Sequence, residues 1–142
     1  MKTRLVWTVL GVLVLGLVTA GPALAGKKLT PNSLPGATVV DADQVKAMID
    51  KKEKVLVVDA RVESEYKEAH LPGAVNIPQP KMDALKDRLP ADKTHPLLFY
   101  CNGPKCWKSY RASKKALEWG YTQVYWFRGG IPEWKSKGYP TE

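Results

Sequence analysis

Two cysteines carry the reactive potential of this 142-residue chain. Both lie in one short segment, Cys101-Asn102-Gly103-Pro104-Lys105-Cys106-Trp107-Lys108-Ser109. The segment follows Pro96-Leu97-Leu98-Phe99-Tyr100, an apolar run that reads as a buried strand. It precedes residues 109–119, where Ala112, Ala116 and Leu117 are spaced as the inner face of a helix. A loop that runs from a strand into a helix N-terminus presents unpaired backbone N–H groups and the positive end of the helix dipole. Such a loop binds anions and favours the thiolate form of a cysteine placed in it. Lys105 and Lys108 add positive charge to the field. A thiolate held this way can attack an electrophilic sulfur, and the same amides can hold the resulting persulfide. The competing reading is a loop stapled by a structural Cys101–Cys106 disulfide. On the loop alone the two stand level.

The surrounding pattern must position this loop. Ala37–Val40 reads as a short strand. Asp41, with Gln44 in capping-box spacing, predicts a helix over 42–50 whose Val45, Met48 and Ile49 face inward. Val55-Val58, within 54–59, is apolar on both faces, as a buried parallel strand requires. A short helix is expected over 63–69, a turn at Leu71-Pro72-Gly73, a strand over 74–77 and a second short helix over 82–89. Gly120 stops the helix that follows the cysteine loop. A strand lies within 121–127, Gly129-Gly130 turns the chain, and a last helical stretch covers 131–137. Strands alternating with short helices predict an α/β domain: a mostly parallel, five-stranded sheet flanked by short helices. In such sheets the ligand site lies at the carboxyl ends of the strands, which is where the cysteine loop begins.

The 22 Lys and Arg against 14 Asp and Glu give a net charge of +8. The lysines are interleaved with acids, as in Lys51-Lys52-Glu53-Lys54, with no basic stripe. Nucleic acid is therefore not the expected partner, and the charge reads as solvated surface with a bias toward small anions. Lys2 and Arg4, the apolar run Leu5–Val18 and Ala23-Leu24-Ala25 predict a signal peptide over 1–25. The run is short for a membrane span, which needs about 20 residues. Cleavage after Ala25 is expected rather than a retained anchor, leaving a periplasmic or secreted protein with no stable membrane span. Residues 26–36 read as a linker and 37–142 as one domain.

Several of these stretches, in order, resemble one family. Val57-Val58-Asp59-Ala60-Arg61, Glu65-Tyr66 and His70-Leu71-Pro72-Gly73-Ala74-Val75-Asn76-Ile77-Pro78 resemble the N-terminal signature of rhodanese-like domains. The cysteine directly after an apolar strand is similar to their active loop, and Gly120-Tyr121, Val124-Tyr125 and Gly129-Gly130-Ile131 through Trp134 to their C-terminal end. The resemblance implies a rhodanese-like fold and a sulfurtransferase. Cys101 would accept a sulfane sulfur from thiosulfate or another donor and pass it to a thiophilic acceptor. Asn102, Gly103, Lys105, Trp107, Lys108 and Ser109 would form the substrate loop, Asp59 and Arg61 would brace it, and Cys106 would be a resolving cysteine. Arg61 is expected in an ion pair with Glu65, and His70 in a structural role. If Ser109 matches the hydroxyl residue that ends the family's loop, the loop is about two residues longer than usual. The added Cys106-Trp107 resembles a single-domain, exported branch with a Cys-Trp loop. The implied partners are a small sulfur-containing anion or a protein thiol, and a periplasmic redox partner. No cofactor and no metal are implied.

Other chemistries fit less well. Related phosphatases place an arginine six positions after the cysteine, where this chain has Trp107 or, counted from Cys106, Ala112. The cysteine spacing is wider than the Cys-x-x-Cys of thioredoxin-like chemistry, no Cys-x-x-Cys-His marks haem attachment, and zinc would lack clustered ligands. The remaining alternative is a non-catalytic or redox-gated binding or sensor module held by a Cys101–Cys106 disulfide.

Overall fold

The structure is a computed structural model that describes Gly21 and residues 26–142. The expected signal peptide therefore lies outside the described residues, apart from Gly21. Five strands form one sheet: β1 (Ala37–Val39), β2 (Leu56–Asp59), β3 (Val75–Asn76), β4 (Leu97–Tyr100) and β5 (Val124–Phe127). Their order is β1-β5-β4-β2-β3 and every pairing is parallel. Four helices connect or follow them: α1 (Ala42–Asp50), α2 (Glu63–Glu68), α3 (Trp107–Glu118) and α4 (Gly130–Ser136).

β4 lies at the centre, between β2 and β5. Its four residues are buried, and they alternate between the two faces. Leu98 and Tyr100 join a cluster with Val45, Val57, Leu71, Phe127 and Trp134. Leu97 and Phe99 join a second with Val58, Ile77, Met82, Ala112 and Ala116. Helices thus cover both faces, which explains why the strands read as continuous apolar runs rather than alternating ones.

Local signals account for the element ends. Gln44 N–H donates to Asp41 Oδ1 at 2.8 Å and Asp41 N–H donates to Gln44 Oε1 at 2.9 Å, the expected capping box of α1. Gly120 takes φ +92° after α3, and the Tyr121 N–H closes on the Ala116 carbonyl. The expected helix over 82–89 is instead a run of turns ending in the 3-10 turn Lys86–Arg88, with another 3-10 turn, Gln79–Lys81, just before it. The Met82, Arg88 and Leu89 N–H groups close on carbonyls three residues back, at Gln79, Leu85 and Lys86, so the chain turns tightly and does not propagate an α-helix. Met82 and Leu89 are still buried in the α3-side cluster, so the apolar spacing reported packing without an α-helix.

Residues 26–36 have no helix or strand, as a linker would, yet part of the segment is firmly tied. Thr30 and Leu34 are buried. Thr30 N–H and Oγ1–H both donate to the Pro104 carbonyl, at 2.8 and 2.9 Å. The Arg128 guanidinium holds the Thr30 and Pro31 carbonyls at 2.9 Å each. The arm therefore packs on the cysteine loop.

Candidate active site

Cys101 is the first residue beyond β4, at the carboxyl edge of the sheet, and is only 1% exposed. Cys106 is the N-cap of α3 and is half-buried. The helix begins at Trp107, two residues before the sequence-based expectation, so Ser109 stands in its first turn. That turn delivers Ser109 to Cys101: its N–H donates to Cys101 Sγ at 3.3 Å and its Oγ lies 3.1 Å from the same sulfur. Trp126 Nε1–H donates to Ser109 Oγ at 3.0 Å. An indole N–H can only donate, so Ser109 Oγ accepts from Trp126 and keeps its own proton for the sulfur whenever Cys101 is a thiolate with none to give. The cradle thus holds two donors, one backbone and one side chain, at the positive end of a helix of 12 residues.

The rest of the loop is shaped by close backbone approach. Ile131 N–H donates to the Cys101 carbonyl at 3.0 Å and Cys106 N–H to the Gly103 carbonyl at 2.9 Å. Gly130 has φ +58°, and a Cβ there would run into the Cys101 carbonyl and the Gly103 amide. Only glycine lets the start of α4 lie against the loop. Cys101 and Cys106 stand sulfur to sulfur, with Cα atoms 6.4 Å apart, inside the roughly 4.4–6.8 Å that disulfides span.

Asp59 and Arg61 brace the site from beneath. Both are buried. Arg61 Nη2 donates to Asp59 Oδ2 at 2.6 Å and to the Ala69 carbonyl at 2.6 Å. Tyr100, the residue before Cys101, donates its hydroxyl proton to Asp59 Oδ2 at 2.7 Å and accepts the Leu71 N–H at 3.1 Å. Burial works against the Arg61 charge, but the hydrogen bonds and charge of Asp59 outweigh it and raise the pKa. Burial first, then the Asp59 charge, drives the Tyr100 pKa far upward. The expected Arg61–Glu65 pair does not form: Asp59 is closer and shares its burial, while Glu65 Oε1 accepts from Asn102 Nδ2 at 2.6 Å and ties α2 to the loop. His70 stacks on Tyr66, with ring centroids 3.8 Å apart, in keeping with a structural role.

Lys105, Trp107 and Lys108 line a groove of about 550 Å3 beside Cys106, together with Asn102, Lys27, Lys28 and Arg111. Trp107 Nε1–H donates to the Lys28 carbonyl at 2.9 Å, which fixes the arm as one wall. A groove of about 650 Å3 near β3 is lined by Glu63, Lys67, Asn76 and Arg88 among others, with no cysteine in its walls. Arg128, Lys27, Lys28 and Arg111 escaped the sequence reading, and so did the bond from Trp126 to Ser109. That bond could have been found from the place of Trp126 in β5, where that residue pairs in register with Phe99 on β4, two residues before Cys101. The arm residues left no local signal, since only tertiary packing brings them to the loop.

Comparison with known proteins agrees with this arrangement. A family profile described as Rhodanese-like domain matches residues 41–137. A sulfurtransferase of Allochromatium vinosum is 28% identical over 101 residues, covering 71% of this chain and 91% of that protein. A thiosulfate sulfurtransferase of Coxiella burnetii is 30% identical over 87 residues, covering 61% and 77%. A tRNA uridine(34) hydroxylase of Yersinia pestis is 36% identical over 104 residues, but only 27% of its length is covered. Among solved structures, the BH2092 protein of Bacillus halodurans superposes with a TM-score of 0.66 at 31% identity, over 75% of this chain and 77% of that one.

Proposed function

The chain belongs to the rhodanese-like domain family, and from that premise we propose that it is a sulfurtransferase carrying sulfane sulfur as a persulfide on Cys101. The observation that carries the proposal is the approach of both the Ser109 N–H and the Ser109 Oγ to Cys101 Sγ at the α3 N-terminus. Relatives named as sulfurtransferases support the reaction class.

In the forward step the Cys101 thiolate attacks the outer sulfur of a donor such as thiosulfate. The S–S bond of the donor breaks and sulfite leaves with the electron pair. The terminal sulfur of the new persulfide carries the negative charge, and the donors of the cradle stabilise it. A thiophilic acceptor then attacks that terminal sulfur and Cys101 departs as thiolate. Asn102, Gly103, Lys105, Trp107 and Lys108 form the substrate loop around this chemistry, with Asp59 and Arg61 as positioning residues. A thiosulfate and cyanide assay, run alongside persulfide donors, tests the reading. Turnover with any of these donors that is lost in Cys101→Ser is expected, and turnover retained in that variant would overturn it.

A second feature of the reading is a redox gate. The juxtaposed sulfurs of Cys101 and Cys106 favour it: a disulfide would occupy the nucleophile, and reduction would release it. The exported location we propose supplies oxidising conditions and a thiol-bearing partner in the same compartment.

A further inference from the structure

Access to the two sulfurs is unequal. Cys101 is sealed beneath the loop at 1% exposure, whereas Cys106 is half-buried and lines the groove beside α3. Lys27, Lys28, Lys105, Lys108 and Arg111 line the same groove, with no carboxylate among its walls. Among the described residues none of these five cations forms an ion pair. Trp107 supplies an apolar wall, pinned by its bond to the Lys28 carbonyl. The volume, about 550 Å3, lies in the range of small-ligand sites, about 300–1,000 Å3.

We propose that this groove binds a small acidic thiol, of the size of a short peptide with two or more carboxylates, and that the thiol attacks Cys106 and never Cys101. The inference deepens the redox-gated reading above and rests on the disulfide that reading assumes. Thiosulfate is too small to use five cations and an indole wall; a short polyanionic thiol engages both.

The chemistry favours the same sulfur as the access. Thiol–disulfide exchange is faster when the departing sulfur is the better-stabilised thiolate. Cys101 leaves into the Ser109 N–H and hydroxyl, whereas the Cys106 side chain makes no cap hydrogen bond to α3. The bound thiolate attacks Cys106 Sγ. A bond forms between the ligand sulfur and Cys106, the Cys101–Cys106 bond breaks, and its electron pair departs on Cys101. A second thiolate attacks the ligand sulfur of the mixed disulfide and releases Cys106 as thiolate. The net change is two thiols oxidised to one disulfide and the protein disulfide reduced to two thiols. Cys101 is then free to take up sulfur.

The test uses residues 26–142 oxidised with diamide, and three capped tripeptide thiols: Asp-Cys-Glu, Gln-Cys-Gln and Lys-Cys-Lys. Reaction under limiting peptide is stopped with acid, freed thiols are alkylated, and trypsin separates the cysteines by cutting after Lys105. The adduct should map to Cys106 and the alkyl group to Cys101. Per thiolate, Asp-Cys-Glu should react about tenfold faster than Gln-Cys-Gln at low ionic strength. The advantage should collapse in high salt and in the double variant Lys108→Glu/Arg111→Glu. An adduct on Cys101, or equal rates for the three peptides, would overturn the inference while leaving the gate and sulfur transfer standing. Failure of diamide to form any disulfide would overturn the gate and this inference together. Loss of sulfur loading on Cys101 alone would strike the sulfurtransferase reading and neither of the others.

Discussion

Tyr100 shows how one buried hydroxyl ties the floor of the site to Cys101. Its bonds to Asp59 and to the Leu71 amide set the backbone one residue before Cys101. Arg61 holds Asp59 in turn, so the three form a braced unit rather than a substrate clamp. Because burial and then the Asp59 charge raise the Tyr100 pKa above the ordinary 10.0, the folded protein keeps this proton at pH values where the unfolded chain loses it. The stabilisation is complete below pH about 10 and declines as pH rises above it. We predict that Tyr100→Phe costs about 1.5–3 kcal/mol near neutrality, for a lost hydrogen bond to a charged group. The variant should also lose part of the alkaline decline. Urea titrations of both proteins from neutral to alkaline pH check this, and parallel pH profiles would contradict it. The sequence placed Asp59 and Arg61 in the brace but assigned Arg61 to Glu65. A motif names which residues sit near a site; only burial decides which carboxylate the guanidinium takes.

At the scale of elements, β4 aims the cysteine, the first turn of α3 supplies the donors, and β5 supplies Trp126 to orient one of them. Ser109→Ala removes the side-chain donor and leaves the buried Trp126 N–H unpaired. The expected cost is about 1–3 kcal/mol in stability, with sulfur loading of Cys101 slowed by tenfold or more. Single-turnover loading followed by mass spectrometry, beside a thermal melt, measures both. Unchanged loading would mean that the backbone amide alone makes the cradle. Most of these elements were legible because strands buried on both faces and a complete capping box leave strong local marks. The start of α3 was not: Cys106 is a weak N-cap by type, and its place follows from the loop closing on Cys101. The stretch 82–89 misled for the opposite reason, since apolar spacing that suits an α-helix also suits a run of turns pinned by Met82 and Leu89.

Over the whole molecule, the arm is the part that composition hid. Lys, Pro and Asn suggested a loose linker, but Thr30 and Arg128 lock it against the loop, and Lys27 and Lys28 complete the groove. A leader cleaved after Ala25 would end just before this arm, so the walls of the groove would survive processing. N-terminal sequencing of the exported protein is expected to begin at Gly26, and intact Met1 in a membrane fraction would contradict export with cleavage.

The central claim is that Cys101 carries the sulfur and Cys106 does not. Intact-mass measurement of reduced Cys101→Ser and Cys106→Ser after a persulfide donor addresses it directly. The account predicts one added sulfur on Cys106→Ser, mapped to Cys101, and none on Cys101→Ser. A persulfide that forms on Cys101→Ser and is absent from a folded Cys106→Ser would contradict it.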